Sequence, residues 1–140
     1  MPAASADIAD SDMYKRRALR FESHHGAIRI VEGADGAVVG GTEWFKRFEL
    51  ASLVGSSERA VAEASAFNRN RRAGEWALAL GFVVFAFDAR MLKVTGDQNA
   101  ASVITALGGT AVMIYGAERL GQANAALSKS LWWYNRDLKK

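Results

Sequence analysis

Two apolar stretches on either side of the tetrapeptide VTGD, residues 94–97, limit what this 140-residue chain can become more than anything else in it. A single proline, Pro2, leaves everything from residue 3 onward free to run as uninterrupted helix. Ser56 or Ser57 is placed to cap a long helix reaching about residue 93. Gly96 suits the left-handed position that ends such a helix, and Asp97 caps a second one that runs almost to the C-terminus. At about 1.5 Å per residue each would exceed roughly 50 Å. Two antiparallel helices of that length joined by a tight turn are a hairpin.

The apolar content of the pair predicts a membrane setting. Between Glu75 and Asp88 lie twelve uncharged residues, mostly large and apolar, and residues 98–117, QNAASVITALGGTAVMIYGA, carry no charge at all. Residues 100–117 would extend about 27 Å, just enough to cross the hydrocarbon core. Ala101, Thr105 and Gly109 recur every four residues, and Ala77 and Gly81 repeat the spacing in the first helix. Such small faces let membrane helices approach closely, although they also suit tight hairpins in water. Trp76 and Tyr115 would stand at one depth, as an aromatic belt requires. Arg59, Arg69, Arg71 and Arg72 precede the first stretch, and Arg119, Lys129, Arg136, Lys139 and Lys140 follow the second, against only Arg90 and Lys93 near the turn. This asymmetry predicts an inner-membrane hairpin with spans at about 74–92 and 98–117 and both termini in the cytoplasm. The first span requires Arg90 and Lys93 to snorkel and Asp88 to sit near the interface, with Glu75 at the opposite rim.

Upstream, residues 1–13 are small, polar or acidic and read as a tail, without the apolar core of a secretory signal. Residues 14–55 read as a small α+β head. In AIRIVEGADGAVVGG, two β-branched runs flank Asp35-Gly36, a favoured two-residue hairpin turn. Thr42 is a plausible N-cap, and Gly55 a stop, for a short helix that puts Trp44, Phe45 and Phe48 on one face and Leu50, Leu53 and Val54 mostly on the other. Residues 56–140 form the hairpin. Beyond the apolar spans, Leu120, Asn124, Leu127, Leu131, Tyr134 and Leu138 follow coiled-coil spacing, with Val61, Ala64 and Phe67 as matching positions, so the hairpin continues as a stalk. Adjacent Trp132 and Trp133 cannot both face that seam, which leaves at least one as an interfacial anchor or partner contact. The expected fold is therefore mainly α: an antiparallel two-helix transmembrane hairpin with a small N-terminal α+β head.

Catalytic chemistry finds little support. With no cysteine there is no disulfide, thiolate metal site or cysteine nucleophile. His24 and His25 are adjacent and would point to opposite faces of a strand, which disfavours a metal site shared with Glu22 or Asp35. No histidine lies in either apolar stretch, so axial histidine ligation of a haem there is excluded; no cofactor is predicted, while a bound lipid or pigment stays open. GADGAVVGG matches neither the phosphate-loop nor the dinucleotide fingerprint. A net charge of +3, without a long basic run, gives no support to nucleic-acid binding. Arg69, Arg71 and Arg72 are candidates for anionic lipid headgroups. Asp88 is the candidate intramembrane carboxylate, able in principle to relay protons, though pairing with Arg90 or Lys93 is the plainer role.

The ending AALSKSLWWYNRDLKK, after two helices rich in glycine and alanine, resembles a loose class of small bacterial membrane-hairpin proteins that close on an "A…YNR" helix. The resemblance covers about residues 55–138 and implies no activity. The expectation is a non-catalytic accessory subunit bracing a larger membrane complex, of respiratory or photosynthetic type by architecture alone, with other membrane subunits and lipid as partners and homo-oligomers compatible. Two alternatives are a membrane-surface adaptor binding anionic lipid or a soluble partner, and a small ion-handling protein using Asp88.

Overall fold

A computed structural model describes residues 12–24, 27–42, 48–95 and 100–139. Trp44, Phe45, Gly96, Asp97 and His25 lie outside them, as do the side chains of His24, Lys93 and Ala101. The chain is mainly helical. A short helix, α1 (residues 12–17), is followed by strands β1 (Leu19–His24), β2 (Ala27–Glu32) and β3 (Ala37–Thr42). A single turn, α2 (Leu50–Leu53), then precedes α3 (Glu58–Thr95) and α4 (Ala100–Asp137), each 38 residues long. Residues 12 and 13, read from sequence as the end of a tail, belong to α1.

The membrane expectation is overturned. Among the described residues no helix is long and apolar enough to cross a membrane. Length is ample, so the shortfall is in apolarity: Glu75, Asp88 and Arg90 bracket the large side chains of α3. In α4, Ser102, Thr105, Gly108, Gly109 and Thr110 dilute the run before Glu118 and Arg119 end it. The transmembrane spans, the inner-membrane location and the cytoplasmic placing of the termini fall together.

Two compact units share these helices: Met1–Asn68 with Asn124–Lys140, and Arg69–Ala123. The first contains an antiparallel sheet of order β1-β2-β3. Two of its strands are the runs around Asp35-Gly36; the third, LRFESH, carries only a short alternation, with Leu19 and Phe21 as its apolar pair. The connection between β2 and β3 is longer than the two-residue turn expected. It takes residues 33–36, with Gly33 and Gly36 both at φ +69°. The Gly33 amide donates to Ala18 and the Ala34 amide to Lys15, so the loop is fastened to the end of α1. A β-bulge between Ile30 and Val31 breaks strict alternation, and both side chains are buried. The helical turn that Thr42 was expected to cap lies outside the described residues. Thr42 ends β3, buried, with its hydroxyl accepting from the Ile28 amide.

Ile30, Val31, Leu50, Val54, Ala60, Ala64, Phe67, Leu127, Leu131 and Tyr134 form the core of this unit. Asn124 of the expected seam is exposed instead, and Ala126 and Ser130 are buried beside Leu127 and Leu131. Three polar links tie α3, α4 and the sheet together here. Ser57 caps α3, accepting from the Ala60 amide at 3.3 Å while donating to Asp137 at 2.6 Å. Buried Ser130 donates to the Ala60 carbonyl at 2.8 Å. Asn135 accepts from the Leu19 amide at 2.8 Å and donates to the Leu19 carbonyl at 2.7 Å, closing the outer side of β1.

Candidate interaction surface

In the unit of residues 69–123, glycine decides where the helices meet. A Cβ built on Gly74 would lie 2.8 Å from the Gly116 carbonyl oxygen, and one on Gly116 3.0 Å from that of Gly74. Gly81 and Gly109 stand in the same relation, at 2.8 and 3.3 Å. Backbone thus approaches backbone at two levels, and a step of seven along α3 matches a step of seven back along α4. Of the predicted packing residues, Gly81 and Gly109 face each other; Ala77 and Thr105 are half-buried. Gly74 and Gly116 stand outside the four-residue spacings of the predicted packing residues. The signal that finds them is the seven-residue repeat of a coiled-coil seam.

Asp88 continues the seven-residue line of Gly74 and Gly81 and is buried, 7% exposed. Next to this line Arg71 and Glu75 form an ion pair at 2.8 Å one turn apart, with side chains only 16% and 8% exposed. Arg71 is therefore turned to Glu75 and away from any headgroup, whereas Arg69 and Arg72 are exposed. Arg119 gathers a polar cluster, donating to the Tyr115 hydroxyl at 2.9 Å and to Asn70 and Gln122 at 3.2 Å.

Away from the seam the unit is apolar where water should be. Trp76, Leu80, Phe82, Val83, Phe85 and Phe87 on α3, with Val103, Ile104, Leu107, Ile114 and Tyr115 on α4, are 46–70% exposed. Eleven large side chains at roughly 100 Å² each make an exposed apolar area on the order of 1,000 Å², distributed over both helices. The sequence reading named Trp76 and Tyr115 as anchors; both lie within this belt.

The other unit bears a smaller, cationic and aromatic patch. Trp132 and Trp133 meet edge to face, ring centres 4.6 Å apart. Arg136 lies over both rings, Arg59 over Trp133 and Lys139 over Tyr14, each within 5.3 Å of a ring centre. Tyr14, Trp132, Asn135, Arg136 and Lys139 line a shallow cleft of about 240 Å³, small beside typical ligand pockets. Trp132 is 56% exposed, so it is the tryptophan of the pair left to the surface. Among the described residues no three His, Asp or Glu side chains converge as a metal site requires.

No family model, curated protein or solved structure matches this chain.

Proposed function

We propose that this protein is a non-catalytic structural subunit, a helical brace that joins an assembly through the apolar belt of residues 69–123. What carries the reading is the belt itself. Leaving an area on the order of 1,000 Å² in water forgoes far more than the few kcal/mol by which a domain of this size is stable. A covered belt converts that cost into association free energy. The small-residue seam supports the same role, because a rigid, closely packed pair presents its outer side chains in fixed positions. The lipid-adaptor alternative loses ground, since the Arg71–Glu75 pair leaves only Arg69 and Arg72 of the basic cluster exposed. Ion handling by Asp88 presupposed a membrane-embedded carboxylate and goes with the spans.

The test is the native mass of the protein in a gently prepared cell extract, with its companions identified. A particle several times the chain mass with stoichiometric companions is expected. A chain running as a monomer without companions would end the proposal.

A further inference from the structure

Trp76, Leu80, Val83 and Phe87 follow one another at steps of four, three and four; Ile104, Leu107, Ala111 and Ile114 at three, four and three. These are the steps of a coiled-coil seam. Yet neither row belongs to the seam inside the hairpin. Trp76 and Val83 each stand two residues after a buried seam glycine, and Leu107 and Ile114 two residues before one. At 100° per residue they lie about 200° round their helices, on the outer sides. Each helix therefore carries a second seam facing outward.

The glycine register sets these two outer seams at one level. Gly74 opposite Gly116 and Gly81 opposite Gly109 place Trp76 level with Ile114, Val83 with Leu107 and Phe87 with Val103. One turn before Trp76 stands exposed Arg72, and one turn after Ile114 stands exposed Glu118, again at a common level.

We infer that the occupant of the belt is a second copy of this chain, laid alongside in the same direction, so that the outer seam of α3 meets the outer seam of α4 on the next copy. The inference rests on the reading of the belt as a docking surface. Neighbouring helices are then antiparallel, as in a four-helix bundle. Arg72 of one copy meets Glu118 of the next, at the rim of a contact whose centre is apolar. Pairing α3 with α3 in the same direction would instead set Arg72 against Arg72, a like-charge penalty. One seam from each copy, with Val103 and Tyr115 flanking the α4 row, brings together nine large exposed side chains, roughly 900 Å² of buried surface per junction and near the lower limit of specific interfaces. Because two different faces meet, each joined pair still offers one free face of each kind, and the contact repeats into a ring or an open array.

The chain has no cysteine, which makes the geometry directly testable. Full-length Val83→Cys and Leu107→Cys chains, exposed sites in both cases, are given distinct mass tags, mixed, and treated with a short thiol–thiol crosslinker. The expected product contains one of each variant, while either variant alone stays unlinked. In sedimentation, Glu118→Arg weakens association about two- to fivefold, and adding Arg72→Glu restores it. Self-linked Val83→Cys, irregular aggregates linked in every combination, or a chain that stays monomeric throughout the micromolar range would each overturn the inference. So would a monomer that binds phosphatidylglycerol vesicles. A pure chain that is monomeric yet found with companions in extract removes only self-pairing and leaves the brace. Defined oligomers without companions do the reverse.

Discussion

Glycines 81 and 108 differ in what surrounds them, and the difference has opposite consequences for the same substitution. A Cβ on Gly81 would lie 2.5 Å from Met113 Cγ and 2.8 Å from the Gly109 carbonyl, while one on Gly108 meets nothing within 4 Å. Gly108→Ala should stabilise by roughly 0.5–1 kcal/mol through helix propensity alone. Gly81→Ala should destabilise by about 1–3 kcal/mol as the helices are forced apart, and thermal unfolding of the two variants reads both signs. Tyr134 makes a second prediction. Burial raises its phenol above the ordinary value, the Glu32 carboxylate adds to this, and Arg17 opposes it. The fold therefore holds the neutral phenol. Its contribution is complete below about pH 10, where the unfolded chain's tyrosine begins to ionise, and is lost as pH rises through the higher folded value. Denaturant titrations should show stability falling on this alkaline limb, and Tyr134→Phe should flatten it. An unchanged limb would assign the fall to other groups.

Asn135 acts at the scale of an element, since one side chain supplies both hydrogen bonds at the outer side of Leu19 in an edge strand. Asn135→Leu removes donor and acceptor together. A loss of about 1–3 kcal/mol is expected, with faster hydrogen exchange at the Leu19 amide than at the amides of β3. How far the elements were legible in the sequence follows from the range of the forces that set them. The two long helices could be read because caps, a proline-free run and a central glycine are local signals. Gly81 and Gly109 could be read too, being small residues at regular spacing. The strand at 19–24 could not, because its alternation holds only one strongly apolar pair, Leu19 and Phe21, and its pairing depends on β2 and on Asn135, 116 residues away. Thr42 looks like a cap locally and becomes a strand end through Ile28. The membrane reading failed for a related reason. It took large apolar side chains as evidence of lipid, whereas the same residues at steps of three and four also describe helix surfaces meant for other helices.

For the molecule as a whole, the two units present contrasting surfaces: one has a sheet-backed core with arginines stacked on tryptophans, the other a thin glycine seam with apolar residues outside. Self-association that covers the belt stabilises the folded state by mass action, so the unfolding temperature should climb as protein concentration rises. A midpoint independent of concentration would argue for a monomer. The distribution of tryptophan gives each unit its own optical signature. Trp132 and Trp133, edge to face at 4.6 Å, are close enough for their indole transitions to couple, and a circular-dichroism couplet from that pair would report on the sheet-bearing unit. Trp76 stands 61% exposed at the end of the outer seam. Its emission should shift to the blue when a neighbour covers it, a change that a Trp76→Phe chain, keeping the other three tryptophans, should lack.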